Sequence, residues 1–183
     1  MRILGIDDTQ RWLGDRGIAF APAGHPGADH RVGVAEYPRY REVVLPKRPR
    51  EQLVLAHRLC QWLDTNGSLL VITVVTGFDE AELDLFLELR RYYGSEEWAS
   101  ETPGGATPGQ LFDDAPKENR RTATEYVYLL VALDFQGCLV EESGRSALVV
   151  GDDTVEMYTR EDGKAKSLDR LLGDLGLVAR TVR

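Results

Sequence analysis

The chain has 183 residues, of which 43% are hydrophobic and 28% are charged; this composition is typical of a globular protein and excludes a disordered chain. A chain of this length buries a continuous core without metal or disulfide support, so we expect a single domain, 1–183. The formal net charge of −8 disfavours nucleic acid and anionic membrane surfaces as partners.

The sequence has no apolar run long enough to cross a bilayer, and its N-terminus, MRILGIDDTQRW, has acids where a secretory signal would be apolar. Two cysteines, Cys60 and Cys138, are too few for a secreted disulfide scaffold, and we predict that both are buried thiols. These features predict a cytoplasmic protein.

Glycine and proline interrupt the N-terminal quarter repeatedly, and we predict a short helix at 8–13 and strands at 17–21, 31–37 and 41–46. Pro49 suits the first turn of a helix, which we predict to end near residue 65, before Asn66-Gly67. The unbroken apolar run LLVITVVT, 69–76, predicts a central strand that is covered on both faces.

From Asp79 onward, the sequence predicts two helices separated by a long loop, followed by three strands joined by turns and a short helix. Asp79 and Glu82 have the spacing of a capping pair, which predicts a helix that continues to Tyr93, and the glycine- and proline-rich segment that follows predicts a long loop. The segment YVYLLVAL predicts a buried helix, with a strand as the alternative. The predicted ranges are 95–115 for the loop, 116–134 for this helix, 138–142, 147–150 and 155–159 for three strands, 167–175 for a short helix and 177–182 for a last strand. Together these elements predict an α+β fold, with three to four helices on a mixed or mainly antiparallel sheet.

Candidate catalytic and metal-binding residues each have a simpler explanation. His25, Asp29 and His30 are ligand types for a transition metal, but their spacing fits no zinc signature, and exposed loop histidines are the favoured interpretation. His57 falls on a predicted helix and is expected at or near the surface. Three acidic doublets, Asp7-Asp8, Asp113-Asp114 and Asp152-Asp153, suit Mg²⁺ chemistry, but adjacent residues in a strand point in opposite directions and aspartate is common in turns.

No motif assigns a reaction or a cofactor. The string TPGGATPGQ lacks the Lys-Ser/Thr pair of a phosphate-binding loop, and no GxSxG motif occurs. We therefore predict neither catalytic residues nor a bound cofactor or metal.

Residues 70–158 resemble an uncharacterised bacterial family with an arginine-rich "LR..YG" helix end, a "PGHLF" loop, a "GWDAYLV" strand and a "SHDE" turn. The corresponding strings here are VVTGFDEAELDLFLELRRYYG, TPGQLFDD, TEYVYLLVALDF, GCLVEESG and VVGDDTVEMY. Polar family positions differ in this chain: Gln110 replaces a histidine, Gly137 and Cys138 replace Trp-Asp, and Val150-Gly151 replaces Ser-His. An apolar pattern that is kept while polar positions change implies a binding module, and by analogy a toxin-neutralising immunity protein.

Charge is concentrated in the middle of the chain. Residues 59–119 carry twelve acidic and three basic side chains, which would steer a basic protein partner toward them. We predict an immunity- or antitoxin-like inhibitor of a bacterial toxin or effector; the alternatives are a small metal-dependent enzyme and an adaptor of a bacterial assembly. The predicted contact residues combine an aromatic anchor with acids and are Asp84, Glu88, Glu96, Glu97, Trp98, Asp113 and Asp114.

Overall fold

The computed structural model describes residues 2–4, 6–21, 31–63, 69–73, 109–112, 116–132, 136–151 and 153–181. Four α-helices lie within these ranges: α1 (Ile6–Gly14), α2 (Pro49–Leu63), α3 (Pro116–Ala132) and α4 (Asp162–Asp174). The strands are β1 (Arg2–Leu4), β2 (Phe20–Ala21), β3 (Arg31–Val32), β4 (Arg39–Val44), β5 (Leu69–Thr73), β6 (Gly109–Phe112), β7 (Gly137–Glu141), β8 (Ser146–Val150) and β9 (Thr154–Thr159). This is an α+β fold, as predicted.

Seven strands form one sheet in the order β1-β6-β5-β7-β8-β9-β4, and each neighbouring pair is antiparallel. Strands β2 and β3 form a separate two-stranded antiparallel pair. Strands β7, β8 and β9 are connected by short turns, so they form two successive hairpins. Strand β4 lies at one end of the sheet, where Glu42 forms an isolated antiparallel bridge with Arg180.

One face of the sheet, the helical face, packs against α2, α3 and α4. Leu139, Leu148 and Met157 alternate with residues of the other face along β7, β8 and β9, and all three are completely buried here. On α2, Leu55, Leu59 and Leu63 recur every four residues, which places them on one side of the helix.

Helix α4 is joined to α2 by both apolar and polar contacts. Leu168 and Leu172 are buried in the same core. The Trp62 indole Nε1 donates a hydrogen bond to the Lys164 carbonyl at 3.0 Å, and Lys164 Nζ donates to the Leu63 carbonyl at 3.1 Å. These contacts fix the C-terminal helix beside α2.

The opposite face, the open face, is covered in part by α1 and the segment after β3. Leu13, Val34 and Tyr37 pack there against Val140 and Ala147 of the sheet. Helix α1 also contacts β1 and β2.

A turn between β7 and β8 is held by a buried carboxylate. Glu141 is 8% exposed, and its carboxylate accepts hydrogen bonds from the backbone N–H groups of Ser143, Arg145 and Ser146 at 2.7, 2.8 and 3.1 Å. The hairpin therefore satisfies its own backbone donors.

The same turn contacts two distant segments. Tyr37 Oη donates to the Gly144 carbonyl at 2.5 Å, and Arg16 Nε donates to the Glu142 carbonyl at 2.6 Å. The Arg16 guanidinium also lies 3.5 Å from the centre of the Trp12 ring. These contacts attach the N-terminal part of the chain to the hairpin.

Most predicted elements are confirmed. The helices predicted at 8–13, 49–65 and 116–134 correspond to α1, α2 and α3, so the apolar YVYLLVAL segment is helical in its described part. The three predicted hairpin strands correspond to β7, β8 and β9. The helix predicted at 79–93 lies outside the described residues.

Several boundaries and one assignment were wrong. The predicted loop 95–115 contains strand β6, which pairs with both β1 and β5. Of the strand predicted at 31–37, only Arg31–Val32 (β3) is a strand, because a 3-10 helix, Gly33–Glu36, follows it. Strand β5 is interior, as predicted, but β7 occupies the middle of the sheet. The predicted last strand contributes the single bridge at Arg180.

Candidate functional site

The predicted contact residues, Asp84, Glu88, Glu96, Glu97, Trp98, Asp113 and Asp114, all lie outside the described residues, as do His25, Asp29 and His30. Whether the seven form one surface therefore stays a prediction.

One residue from each of two acidic doublets, Asp8 and Asp153, has a local structural role in the described part of the chain. Asp8 is exposed in the first turn of α1 and accepts a hydrogen bond from Arg11 Nη1 at 2.9 Å. Asp153 is exposed in the turn before β9, and its carbonyl accepts a hydrogen bond from the Leu45 backbone N–H at 2.8 Å. The position of Asp153 between β8 and β9 agrees with the turn role predicted for its doublet.

In the part of the chain that the structure describes, one histidine lies at the surface and two thiols are buried. His57 is exposed on α2, with its Nε2 atom 3.0 Å from the Gln61 side-chain amide. Cys60 and Cys138 are buried and free, as predicted, and burial raises the pKa of each thiol to about 12. Both therefore stay protonated at neutral pH, which makes them poor nucleophiles.

The strongest candidate is a group of four side chains on the open face, at the β4 end of the sheet. Tyr40 and Glu42 alternate along β4, and Glu156 and Tyr158 alternate along β9, so all four point to the same side. The antiparallel register places Tyr40 opposite Tyr158 and Glu42 opposite Glu156. We call these four residues the Tyr–Glu patch.

The two tyrosines form a packed pair beside the glutamates. Their ring centroids are 4.7 Å apart with an angle of 35° between the planes, and Tyr37 meets the Tyr158 ring edge-on at 6.3 Å. Tyr158 Oη donates to Glu156 Oε2 at 2.6 Å. Tyr158 is 7% exposed, whereas Tyr40 keeps more of its surface in solvent.

Both phenols act as proton donors over the whole physiological range. Burial raises the pKa of Tyr158, and its hydrogen bond to the Glu156 carboxylate raises it further. Burial also raises the pKa of Tyr40, with the negative charge of Glu156 as the next cause. A neutral phenol can orient a carboxylate by donating a hydrogen bond to it, and because it carries no negative charge it does not itself attract cations.

The glutamate pair has an energetic cost. Glu42 and Glu156 are cross-strand partners, both are partly exposed, and like charges directly opposite each other destabilise a sheet. At the sheet edge, the backbone of Glu42 is paired with that of exposed Arg180 by two hydrogen bonds. Val44 follows on the same face and is 52% exposed.

Chemically, the patch offers two carboxylates, two phenols and an aromatic face, a set that suits an organic cation. In the described ranges, no three His, Cys, Asp or Glu side chains come together in an arrangement that would hold a metal ion. A guanidinium group fits better, because it forms paired hydrogen bonds with carboxylates and stacks on aromatic rings.

Sequence reasoning did not identify this patch, although the sequence holds a signal for it. The order Tyr-x-Glu in β4 is reversed to Glu-x-Tyr in β9. In an antiparallel pair, such a reversal aligns like with like. The signal becomes specific only once β4 and β9 are known to be neighbours.

Comparisons with known proteins find no matching family model, no matching curated protein and no matching solved structure. In the described part of the chain, none of the helices has the length and apolarity that crossing a bilayer requires.

Proposed function

We propose that this chain is a non-catalytic binding protein, an inhibitor of the immunity or antitoxin kind, which neutralises a basic protein toxin or effector. The observation that supports it most directly is the Tyr–Glu patch, where two opposed carboxylates and a half-buried tyrosine lie on the open face of the sheet. An aromatic anchor beside charged groups is the usual composition of a binding hot spot.

Relief of charge repulsion is the physical basis of the proposal. In the free protein, Glu42 and Glu156 face each other across the strand pair and repel. An arginine from the partner would neutralise both carboxylates and stack on Tyr40. Binding would then remove the charge repulsion that destabilises the free protein. Lysine would lack the planar stacking and the paired hydrogen bonds.

Long-range attraction would act together with this local recognition. The net charge of −8 and the twelve acids of residues 59–119 would attract a basic partner over distances of about the Debye length, roughly 8 Å at physiological salt. The acidic segment would then accelerate association while the Tyr–Glu patch slows dissociation.

The first step of the test is to purify this chain from its source cells and to identify the protein that stays bound to it. Its activity is then measured with and without the chain, and the affinity is measured for the variant Glu42→Lys/Glu156→Lys. We expect loss of inhibition and at least a hundredfold weaker binding, because two attractive contacts become repulsive. A matched control, Asp15→Lys/Asp174→Lys, makes the same change in net charge at exposed sites away from the patch and should mainly slow association.

A milder variant separates binding from stability. Glu42→Gln removes the repulsion but leaves Glu156 to accept the Tyr158 hydrogen bond. We expect the free energy of unfolding to rise by about 0.2–1 kcal/mol while partner binding weakens. Unchanged partner affinity in both patch variants, or a partner whose activity the chain does not affect, would show that the proposal is wrong.

A further inference from the structure

A pocket of about 390 Å³ lies between the start of α2 and the end of α4, on the side of the molecule that carries the helical face. Its volume falls within the range of small-molecule sites. Three chain segments form its walls: the connection between β4 and α2, the first two turns of α2 and the chain after α4. The lining residues are Pro46, Arg48, Arg50, Glu51, Val54, Leu55, Leu175 and Leu177.

One wall is fixed by the way α4 ends. Gly176 has φ +67°, its N–H donates to the Gly173 carbonyl at 3.0 Å, and the Leu177 N–H donates to the Leu172 carbonyl at 2.9 Å. This pair of bonds is a Schellman motif, in which glycine supplies the left-handed residue. The motif reverses the chain, so Leu175 and Leu177 both line the pocket on either side of Gly176.

The pocket walls are mainly aliphatic and face solvent. Val54 is 43% exposed, and Leu175 and Leu177 are only partly buried although they pack on the core. Leu55 is 1% exposed and forms part of the floor. Apolar area left in water at a concave site is stabilised when an aliphatic ligand covers it.

The polar side of the pocket is cationic. Arg48 and Arg50 line it together with one acid, Glu51. Arg48 Nη1 lies 3.5 Å from Glu51 Oε1, but the two side chains are 83% and 52% exposed, so this ion pair is weak. One positive charge is left over, in a protein whose net charge is −8.

We propose that this pocket binds a small aliphatic carboxylate. The chain of the ligand would lie against Val54, Leu55 and Leu177, and its carboxylate would accept hydrogen bonds from Arg48 and Arg50. Charge complementarity selects an anion, and the aliphatic walls select an unbranched or branched alkyl chain over a sugar or a nucleotide. This site is separate from the Tyr–Glu patch, and the proposal does not depend on a protein partner.

Sodium octanoate is the probe, titrated into the purified chain at constant ionic strength and followed by calorimetry. We expect saturable binding with a Kd of about a millimolar or tighter, given the ten non-hydrogen atoms of the ligand. Octan-1-ol and octylammonium should bind at least tenfold more weakly, because the first lacks the charge and the second reverses it.

Two variants, each with a matched control on α2, locate the site. Arg48→Gln/Arg50→Gln should weaken octanoate binding at least tenfold, whereas Arg58→Gln, further along α2, should leave it unchanged. Val54→Trp should fill the pocket and abolish binding, whereas Leu53→Trp, which is exposed outside the lining, should not. Methyl NMR of the unmodified protein provides a test without substitutions: octanoate should shift the signals of Val54, Leu175 and Leu177.

Three results would overturn the proposal: no saturation with octanoate up to ten millimolar, equal affinity for octan-1-ol, or methyl shifts confined to residues outside the pocket. Because none of these measurements involves a protein partner, failure here leaves the proposed inhibitory function standing, and the reverse also holds.

Discussion

Gly144 occupies a position that only glycine fills without strain. Its φ of +66° lies in the left-handed region, and a β-carbon built there would lie 2.6 Å from Arg16 Cβ. Its carbonyl also accepts the Tyr37 hydroxyl. Backbone conformation, close packing and a buried hydrogen bond therefore depend on one residue of the β7–β8 turn.

Replacing Gly144 by alanine should destabilise the protein by about 1–3 kcal/mol, because the left-handed conformation and the clash with Arg16 both act on the folded state. Urea denaturation measures the change. Gly173→Ala is the matched control: it lies in α4 with open space around its β-carbon and should stabilise by about 0.5–1 kcal/mol. Equal effects of the two changes would contradict this explanation.

The residues of the Tyr–Glu patch show how far sequence reasoning reaches at this scale. The alternation in RYREVV and TVEMYT indicates which side chains share a face of their own strand. It does not indicate that Tyr40 meets Tyr158, because that contact joins strands far apart in the sequence. Burial of Cys60 and Cys138, by contrast, followed from residue type and was predicted correctly.

Among the elements, strand β6 was missed because its four residues, GQLF, have no local strand signal and follow a glycine- and proline-rich stretch. Its pairing with β1 and β5 determines its conformation, so tertiary context outweighs propensity. Helix α4 begins at Asp162, whereas the predicted helix begins at residue 167. The prediction missed the first residues of the helix because Asp162, Gly163 and Lys164 give no apolar signal. The apolar period comes from the buried residues Ala165, Leu168 and Leu172, together with partly buried Leu171.

The β7–β8 hairpin should depend on the Glu141 carboxylate. In Glu141→Gln, one of the two carboxylate oxygens becomes an NH2 group, so at least one backbone N–H group of the turn loses its acceptor. We expect a loss of about 1–3 kcal/mol in the free energy of unfolding, measured by urea denaturation. Glu36→Gln, at an exposed position of the 3-10 helix, should change stability by less than about 0.5 kcal/mol. If Glu141→Gln were equally neutral, the carboxylate would not hold the turn.

For the whole molecule, the class of fold was predictable but the order of strands was not. Local periodicity separates helices from strands and gives the hairpins β7, β8 and β9. Strand order depends on long-range pairing: β6 inserts between β1 and β5, and β4 joins the far end through β9. The sheet then separates two cores, one on the helical face and one on the open face.

Each core contains a group that burial keeps protonated, and this predicts how the molecule responds to alkali. Burial raises the pKa of Cys60 on the helical face and of Cys138 on the open face to about 12, from a usual value of 9.0. Burial likewise raises the pKa of Tyr37 to about 12 from 10.0. Above pH 9 the unfolded chain loses these protons and the folded chain keeps them, so stability should fall as pH rises from 9 to 12.

The measurement is urea denaturation at several pH values, together with thiol labelling of the folded protein by a disulfide reagent. Both thiols should stay unreactive at neutral pH and become reactive in the same transition that exposes the tyrosines. Serine is the neutral comparison: Cys60→Ser should remove the part of the alkaline loss that begins at pH 9 and comes from the helical-face core. A stability that stayed constant from pH 9 to 12 would mean that these groups titrate in the folded state, and that neither core is closed to solvent.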